Sequence, residues 1–438
     1  MERYEKYKDS GIEWIGKIPE HWKVKRLKYC ISINDDVLNE TTDEEFEINY
    51  VEIGDVNFLT GINNSTVYKF KNAPSRARRI VKEGDVIVST VRTYLKAIAQ
   101  IKKIYGNLIV STGFAVLRPK TIDSSYLGYY VLTPFFIHKT IADSVGVSYP
   151  AINSSNIGLF ETVVPSLSEQ THIATFLDRK TAEIDRIIDN KQKLIAFYEE
   201  EKQAIINQAV TKGLDPNVTL KDSGVEWLGE IPEHWSLIKL KRISAKITDG
   251  EHISPNFTLE GMPFLSAKDV RDGFVQIDYD KFVSNEDGDF FRKRCNPESG
   301  DILIVSRGAT VGRVAIVDTD EKFCLLGSVI LIKPTPRILS KFLLNSFKNK
   351  LLLDNFLLTS QSSAQQAIYL VNVAEINLSL PPIQEQINII VHIEKECSRL
   401  DTIIEKFNKQ IDLLQEYRIT LISEVVTGKI KVPNTIEA

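Results

Sequence analysis

Residues 69–103 gather ten basic side chains, Lys69, Lys71, Arg76, Arg78, Arg79, Lys82, Arg92, Lys96, Lys102 and Lys103, against two acids, Glu83 and Asp85. An R-x-R cluster in this run precedes a Gly-Asp turn, and Ser89, Thr90, Arg92, Thr93 and Lys96 follow the turn. The layout recurs 216 residues on. Arg292 and Arg294 precede a second Gly-Asp turn, and Ser306, Arg307, Thr310 and Arg313 follow it. Guanidinium forks pair with phosphate or with the edge of guanine, and Ser and Thr hydroxyls suit phosphate oxygens. A second matched pair of stretches is polar and turn-like: "SVGVSYPAIN" at 144–153, with Ser148 and Tyr149, and "SQSSAQQAIY" at 360–369, with Gln361, Gln365 and Gln366. Glutamine suits adenine, and the two stretches differ as base-reading loops would. Most runs of charge are solvated faces. The same layout at equivalent places favours nucleic-acid contact over that plainer reading.

Catalytic chemistry is missing from the chain. There is no Walker P-loop and no glycine fingerprint after a strand. "LPPI" at 380–383 lacks the flanking polar and aromatic residues of an adenine-methylating N/D-P-P-Y/F motif. "GATVG" at 308–312 is a turn with two glycines, too weak a signal for a phosphate loop, and the six histidines show no metal-ligand spacing. Glu20/His21 and Glu233/His234 are adjacent pairs without a third group, so a structural role outweighs acid–base chemistry. The 438 residues carry a net charge of -4, so any affinity for nucleic acid must be local. Four cysteines without CxxC spacing suit a reducing compartment. With no signal peptide and no apolar run of membrane length, a cytosolic soluble protein is expected.

The elements that must position these residues are written twice. "KDSGIEWIGKIPEHW" (8–22) returns as "KDSGVEWLGEIPEHW" (221–235), and these two phrases hold all four tryptophans. "VKEGDVIVST" (81–90) matches "PESGDILIVS" (297–306), and "VVPSLSEQTHI" (163–173) matches "SLPPIQEQINI" (379–389), both at a step of 216. Each copy begins with about 160 residues of short β-type runs broken by Gly, Asn and Asp and by helical patches, which reads as a mixed α+β domain. Each copy then turns helical. Leu177, Ile184, Lys191, Tyr198 and Ile205 form one heptad row, and Thr181, Ile188, Ile195, Lys202 and Ala209 the other. Their counterparts are Ile393, Leu400, Phe407, Leu414 and Leu421, with Cys397, Ile404, Ile411, Arg418 and Val425. Ser166 and Glu169 suit a capping box, and Gly213 and Gly428 stand just past the helix ends.

Two helices with matching seams pack on each other most simply as an antiparallel pair. The basic seam positions Lys202 and Arg418 then serve either as snorkelling side chains or as register controls. The tryptophan phrase reads as a clip between a helix end and a domain, and the first phrase is expected near the end of the second helix.

Together, "SGIEWIGKIPEHW", "GDVIVST"/"GDILIVS" and "VPSLSEQTHIATFLDRKTAEIDRII"/"LPPIQEQINIIVHIEKECSRLDTII" resemble the specificity subunits of type I restriction–modification systems over essentially the full chain. The resemblance implies two target recognition domains, each reading half of a bipartite site in double-stranded DNA. It implies spacer helices that set the gap and dock two methyltransferase subunits, with restriction subunits joining that core. S-adenosylmethionine, ATP and Mg2+ would belong to those partners, and this chain would bind no cofactor and catalyse nothing. The expected boundaries are 1–166 and 214–382 for the recognition domains, 167–213 and 383–430 for the helices, and 431–438 for a tail. A sequence-blind DNA-binding scaffold and an enzyme with an unrecognised site are the competing readings.

Overall fold

A computed structural model describes residues 2–359 and 367–433, with only the backbone at 357–359. Its fold is α+β. The chain divides into a first unit of residues 1–191 with 408–438 and a second unit of 192–407. Two long helices, Leu167–Lys212 and Ile383–Val426, each give one half to each unit.

The first unit holds two four-stranded sheets. In one, the order is Ile98–Gln100, Val86–Ser89, Phe114–Pro119, Ile31–Ile33; in the other, Thr66–Lys69, Glu47–Val51, Leu108–Ser111, Ala77–Ile80. Central strands such as Val86–Ser89 are apolar and buried on both faces, so they read as continuous runs rather than alternating ones. The second unit repeats the plan. Ser244–Asp249, Val329–Pro334, Ile302–Val305 and Val314–Ile316 make the equivalent sheet, with Gly273–Phe274 added at its edge. A parallel pair recurs as well: Leu108–Ser111 on Glu47–Val51, and Cys324–Leu325 on Met262–Leu265.

Within each unit the halves of the long helices run antiparallel. In the first, Arg418 meets Asp185 at 3.4 Å and Lys191 donates to Gln410 at 2.6 Å. In the second, Lys202 meets Asp401 at 2.5 Å and Tyr198 stacks on Phe407 at 6.0 Å. The two ion pairs are repeat mates, since Asp185 and Lys202 become Asp401 and Arg418 at the 216 step. Both basic seam residues therefore reach across to the other helix, which favours register control over snorkelling. Leu177, Ile184, Ile393, Leu400, Ile404, Ile411 and Leu421 are buried; Ile188, Ile195, Tyr198, Ile205, Phe407 and Leu414 are half-buried. Near the end of the first helix the buried residue is Ile206 rather than Ile205. A straight helix drifts about 20° per heptad, and here the last turns also pack on the domain.

The tryptophan phrases hold these helix ends. Trp22 and Trp235 are fully buried, whereas Trp14 is 62% exposed and Trp227 half-buried, so only the second tryptophan of each phrase is the anchor. The Trp22 indole donates to Glu169 at 3.1 Å, and that of Trp235 to Glu385 at 2.8 Å, each in the first turn of a long helix. The opposite helix end is gripped too. Gly428 and Gly213 have φ of 73° and 75°, and a Cβ on Gly428 would lie 2.4 Å from Pro19. Lys429 donates to the carbonyls of Ile15 and Lys17. The first phrase thus lies at the end of the second helix and the start of the first.

One expectation changes. Half of the capping box forms, with the Glu169 N–H donating to Ser166 Oγ at 3.3 Å, but the Glu169 carboxylate turns to Trp22 and His21. His21 and His234 pair with Glu169 and Glu385 at 3.1 and 2.8 Å, so neither works with its sequence neighbour as an acid–base pair.

Candidate nucleic-acid interface

The Gly-Asp turns are anchors inside the domains. Asp85 is 1% exposed; it accepts from the Lys82 N–H at 2.7 Å and, through both oxygens, from Arg118 at 2.9 and 2.8 Å. Asp301 accepts from the Glu298 N–H and from Lys333, both at 2.8 Å. Arg118 is held protonated, first by Asp85 and against the cost of its own burial. Burial pushes the Asp301 carboxyl up, offset by Lys333. Each strand leaves this anchor, runs through the core, and surfaces after Ser89 or Ser306.

The strand emerges into an unusual turn. Arg92 and Lys96 are non-glycine residues in the left-handed region, at φ 50° and 52°, and they bracket a 3-10 turn, Thr93–Leu95. Such backbone is rare without glycine and persists only where the surroundings fix it. Here the fixing partner is the 144–151 loop. Arg92 N–H donates to Pro150 at 2.8 Å, Ile152 N–H to Thr90 at 2.9 Å, and Val91 bridges to Ala151. The loop is closed on itself by paired bonds between Val145 and Ala151. The Arg92 guanidinium lies 5.1 Å from the Tyr149 ring centre. With Tyr50, Glu52, Arg76 and Leu95 they line a cleft of about 540 Å³. Ser148 and Lys96 are exposed alongside.

The second unit builds the same junction. Arg307 bridges to Ala367, and Ile368 N–H donates to Ser306 at 2.8 Å, each 216 residues from its counterpart. The two candidate stretches that the sequence shows as separate therefore meet at one edge in the first unit, and in the second Ala367 and Ile368 meet Arg307 and Ser306 in the same way. Arg307 is exposed there. Gln361, Gln365 and Gln366 lie outside the described residues.

Several candidates are placed elsewhere. Ser89, Thr93 and Ser306 are buried, and the Thr93 hydroxyl lies 2.9 Å from that of Ser144, so these hydroxyls face the interior. Arg78 packs over Phe70 at 4.8 Å. Arg79 is half-buried on its strand, with burial lowering its pKa. The R-x-R clusters are not structural equivalents. Arg78 lies on a strand, Ala77–Ile80, while Arg292 and Arg294 end a helix, Asn285–Arg294. Arg292 donates to the carbonyls of Phe323 and Pro297, Arg294 pairs with Asp249, and Arg313 donates to Val270 at 3.2 Å. All three hold their own fold. Sequence reading missed Tyr50, Glu52 and the exposed Tyr94 and Leu95; the "RTYLK" run, an aromatic and a leucine between basic residues, is the signal for the last two.

Among the described residues no cluster of His, Cys, Asp and Glu fits a metal ion, and no helix is long and apolar enough to cross a membrane. The chain matches the type I restriction modification DNA specificity domain twice, over residues 19–196 and 232–413. It is 24% identical to a putative type I restriction enzyme MjaX specificity subunit of Methanocaldococcus jannaschii, across 97% of this chain and 98% of that one. It is 21% identical to the type I restriction enzyme EcoKI specificity subunit of Escherichia coli K12, across 95% and 90%. The fold matches a chain from a structure of type I R-M complex assembly and conformational transition, with a TM-score of 0.74 and 21% identity over 94% of this chain and 99% of that one. It also matches the HsdS subunit of Thermoanaerobacter tengcongensis, with a TM-score of 0.52 and 21% identity over 94% and 98%. The chain belongs to the type I restriction–modification specificity family, whose members select the DNA site and leave catalysis to partner subunits.

Proposed function

We propose that each unit reads one half of a bipartite double-stranded DNA site, and that the long helices set the unread gap and dock two methyltransferase subunits. Restriction subunits join through that core. S-adenosylmethionine, ATP and Mg2+ act in those partners, and the assembly works in the cytoplasm. The observation that carries the reading is the duplicated edge: the bridges Val91–Ala151 and Arg307–Ala367 stand at the same place in both units, with a basic residue next to the bridge in the first, Arg92, and in the bridge itself in the second, Arg307. Arg92 and Tyr149 differ from their counterparts Gly308 and Gln365, so the two half-sites differ and the full target is asymmetric. The DNA-facing set is Arg76, Arg92, Lys96, Ser148 and Tyr149 in the first unit and Arg307 in the second.

Methylome sequencing of a host carrying the chain tests this. Arg92→Ala is expected to relax one half-site and leave the other intact, because a good bidentate base contact is worth about 1–3 kcal/mol of discrimination. Both half-sites changing together would defeat the modular reading. Salt-dependent but sequence-blind binding by the assembled complex would favour a scaffold instead.

A further inference from the structure

The two helix-end clips are built from equivalent residues but are not equally filled. In the first unit Glu169 has three partners. Its Oε1 accepts from Tyr4 Oη at 2.8 Å as well as from Trp22, and its Oε2 meets His21. The Tyr4 ring stands edge-on to Trp22 at 5.9 Å and tilted to His21 at 5.8 Å. Burial, then the bond to Glu169, keeps the Tyr4 phenol protonated far above the usual range. In the second unit the partners of Glu385 among the described residues are the histidine and the tryptophan. Among the described residues no hydroxyl reaches it. Its side chain is 38% exposed, against 21% for Glu169.

The repeat explains the difference. At the step of 213 that relates the tryptophan phrases, Glu2–Tyr4 corresponds to 215–217. At the step of 216 that relates the helices, Lys429–Lys431 corresponds to 213–215. In the first unit both segments are present and Glu2 bridges to Lys431. In the second unit one segment stands where the first has two. The residue at the tyrosine position is Asn217, exposed, with its N–H tied to Asp215 Oδ1 at 2.9 Å. Where the first unit has a phenol, there is a cavity of about 240 Å³ lined by Gly213, Leu214, Val218, Pro232, His234 and Glu385.

We propose that this cavity is a docking pocket for a tyrosine side chain presented by a partner polypeptide. The wall of Leu214, Val218, Pro232 and Ile389 takes the ring, with His234 beside it as His21 is beside Tyr4. Glu385 accepts the phenol proton as Glu169 does. The exposed 214–217 segment offers backbone to the strand that carries the tyrosine, as Lys431 does to Glu2. The pocket is independent of the DNA-reading edge, and its test needs neither DNA nor another subunit.

Ligand-observed NMR on the full chain tests it with three probes: p-cresol, toluene and the tripeptide Gly-Tyr-Gly. Binding of p-cresol about tenfold tighter than toluene is expected, since a bond to a carboxylate is lost without the hydroxyl. Gly-Tyr-Gly should bind tighter than p-cresol. Asn217→Tyr, which supplies the ring in cis, and Leu214→Trp, which fills the cavity from an exposed position, should each abolish p-cresol binding. Equal affinity for toluene and p-cresol, or p-cresol binding that survives both variants, overturns the pocket. A peptide no tighter than p-cresol overturns the polypeptide ligand. A dimer of the chain that Asn217→Tyr disperses would give the pocket to a second copy and overturn a foreign partner.

Discussion

Asp85 and Asp301 occupy the same place in the repeat, yet removal of their partners should have unequal effects. Asp85 is tied by both oxygens to Arg118 in a nearly closed site, so Arg118→Met strands a buried carboxylate and should cost about 3–5 kcal/mol. Asp301 already has its pKa raised by burial, so without Lys333 it can take up a proton instead. A group whose folded pKa is raised contributes full stability below its unfolded value, near 3.9 for Asp, and loses that contribution as pH rises through the folded value. Lys333→Met should therefore be less damaging at pH 4.5 than at pH 7.5, as read from urea midpoints at the two values. Glu375 has the opposite sign. Hydrogen bonds from Lys239 and then Lys241 hold its carboxyl down to about 2. Its contribution is present above the usual carboxylate range and fades as pH falls toward 2. In Glu375→Gln that part of the acid-side slope should vanish.

The long helices are the element whose design was most open to reading, because a heptad written over five repeats permits few other structures. Their seam is uneven. Leu400 is fully buried and Ile195 half-buried, so Leu400→Ala should cost about 2–5 kcal/mol and Ile195→Ala clearly less, measured by thermal unfolding. The cross-helix pairs Lys202–Asp401 and Arg418–Asp185 are partly exposed, and each should contribute about 1 kcal/mol or less. Their value lies in register: a slip of one heptad would set Asp185 and Asp401 against apolar residues, Val425 and Ala209 or Ile411 and Ile195, in place of a basic partner. The clips are a second device at this scale. Trp235→Phe keeps an aromatic ring but removes the donor to Glu385 and part of the buried indole, which should lower stability by at least about 1.5–3 kcal/mol.

At the scale of the molecule, the proposed reading makes the parts exchangeable. Replacement of residues 24–165 by the corresponding domain of another specificity subunit should alter one half-site in methylation maps and leave the other. Insertion of one heptad into each long helix preserves the seam and adds about 10.5 Å at 1.5 Å per residue. The unread gap should widen by about three base pairs at 3.4 Å each. An unchanged gap in the sequenced methylated sites would remove the helices from the role of ruler.

The duplication, the two α+β units and the helix pair were legible in the residues, because periodicity and repeated phrases are properties of the chain alone. The anchoring tryptophan and its glutamate were half legible: the phrase was visible, but which indole is buried was not. Site residues were harder for a specific reason. Whether Ser89 or Ser306 faces water depends on how its strand is covered on both faces, and whether an arginine is free depends on carbonyls and carboxylates distant in sequence. Arg292 and Arg294 match Arg76 and Arg78 in spacing, yet they end a helix where Arg78 lies on a strand. Conversely, Arg92 and Tyr149 are 57 residues apart and meet only because Val91 bridges to Ala151. Local spacing determined what could form; long-range pairing and burial decided which side chains were left to act.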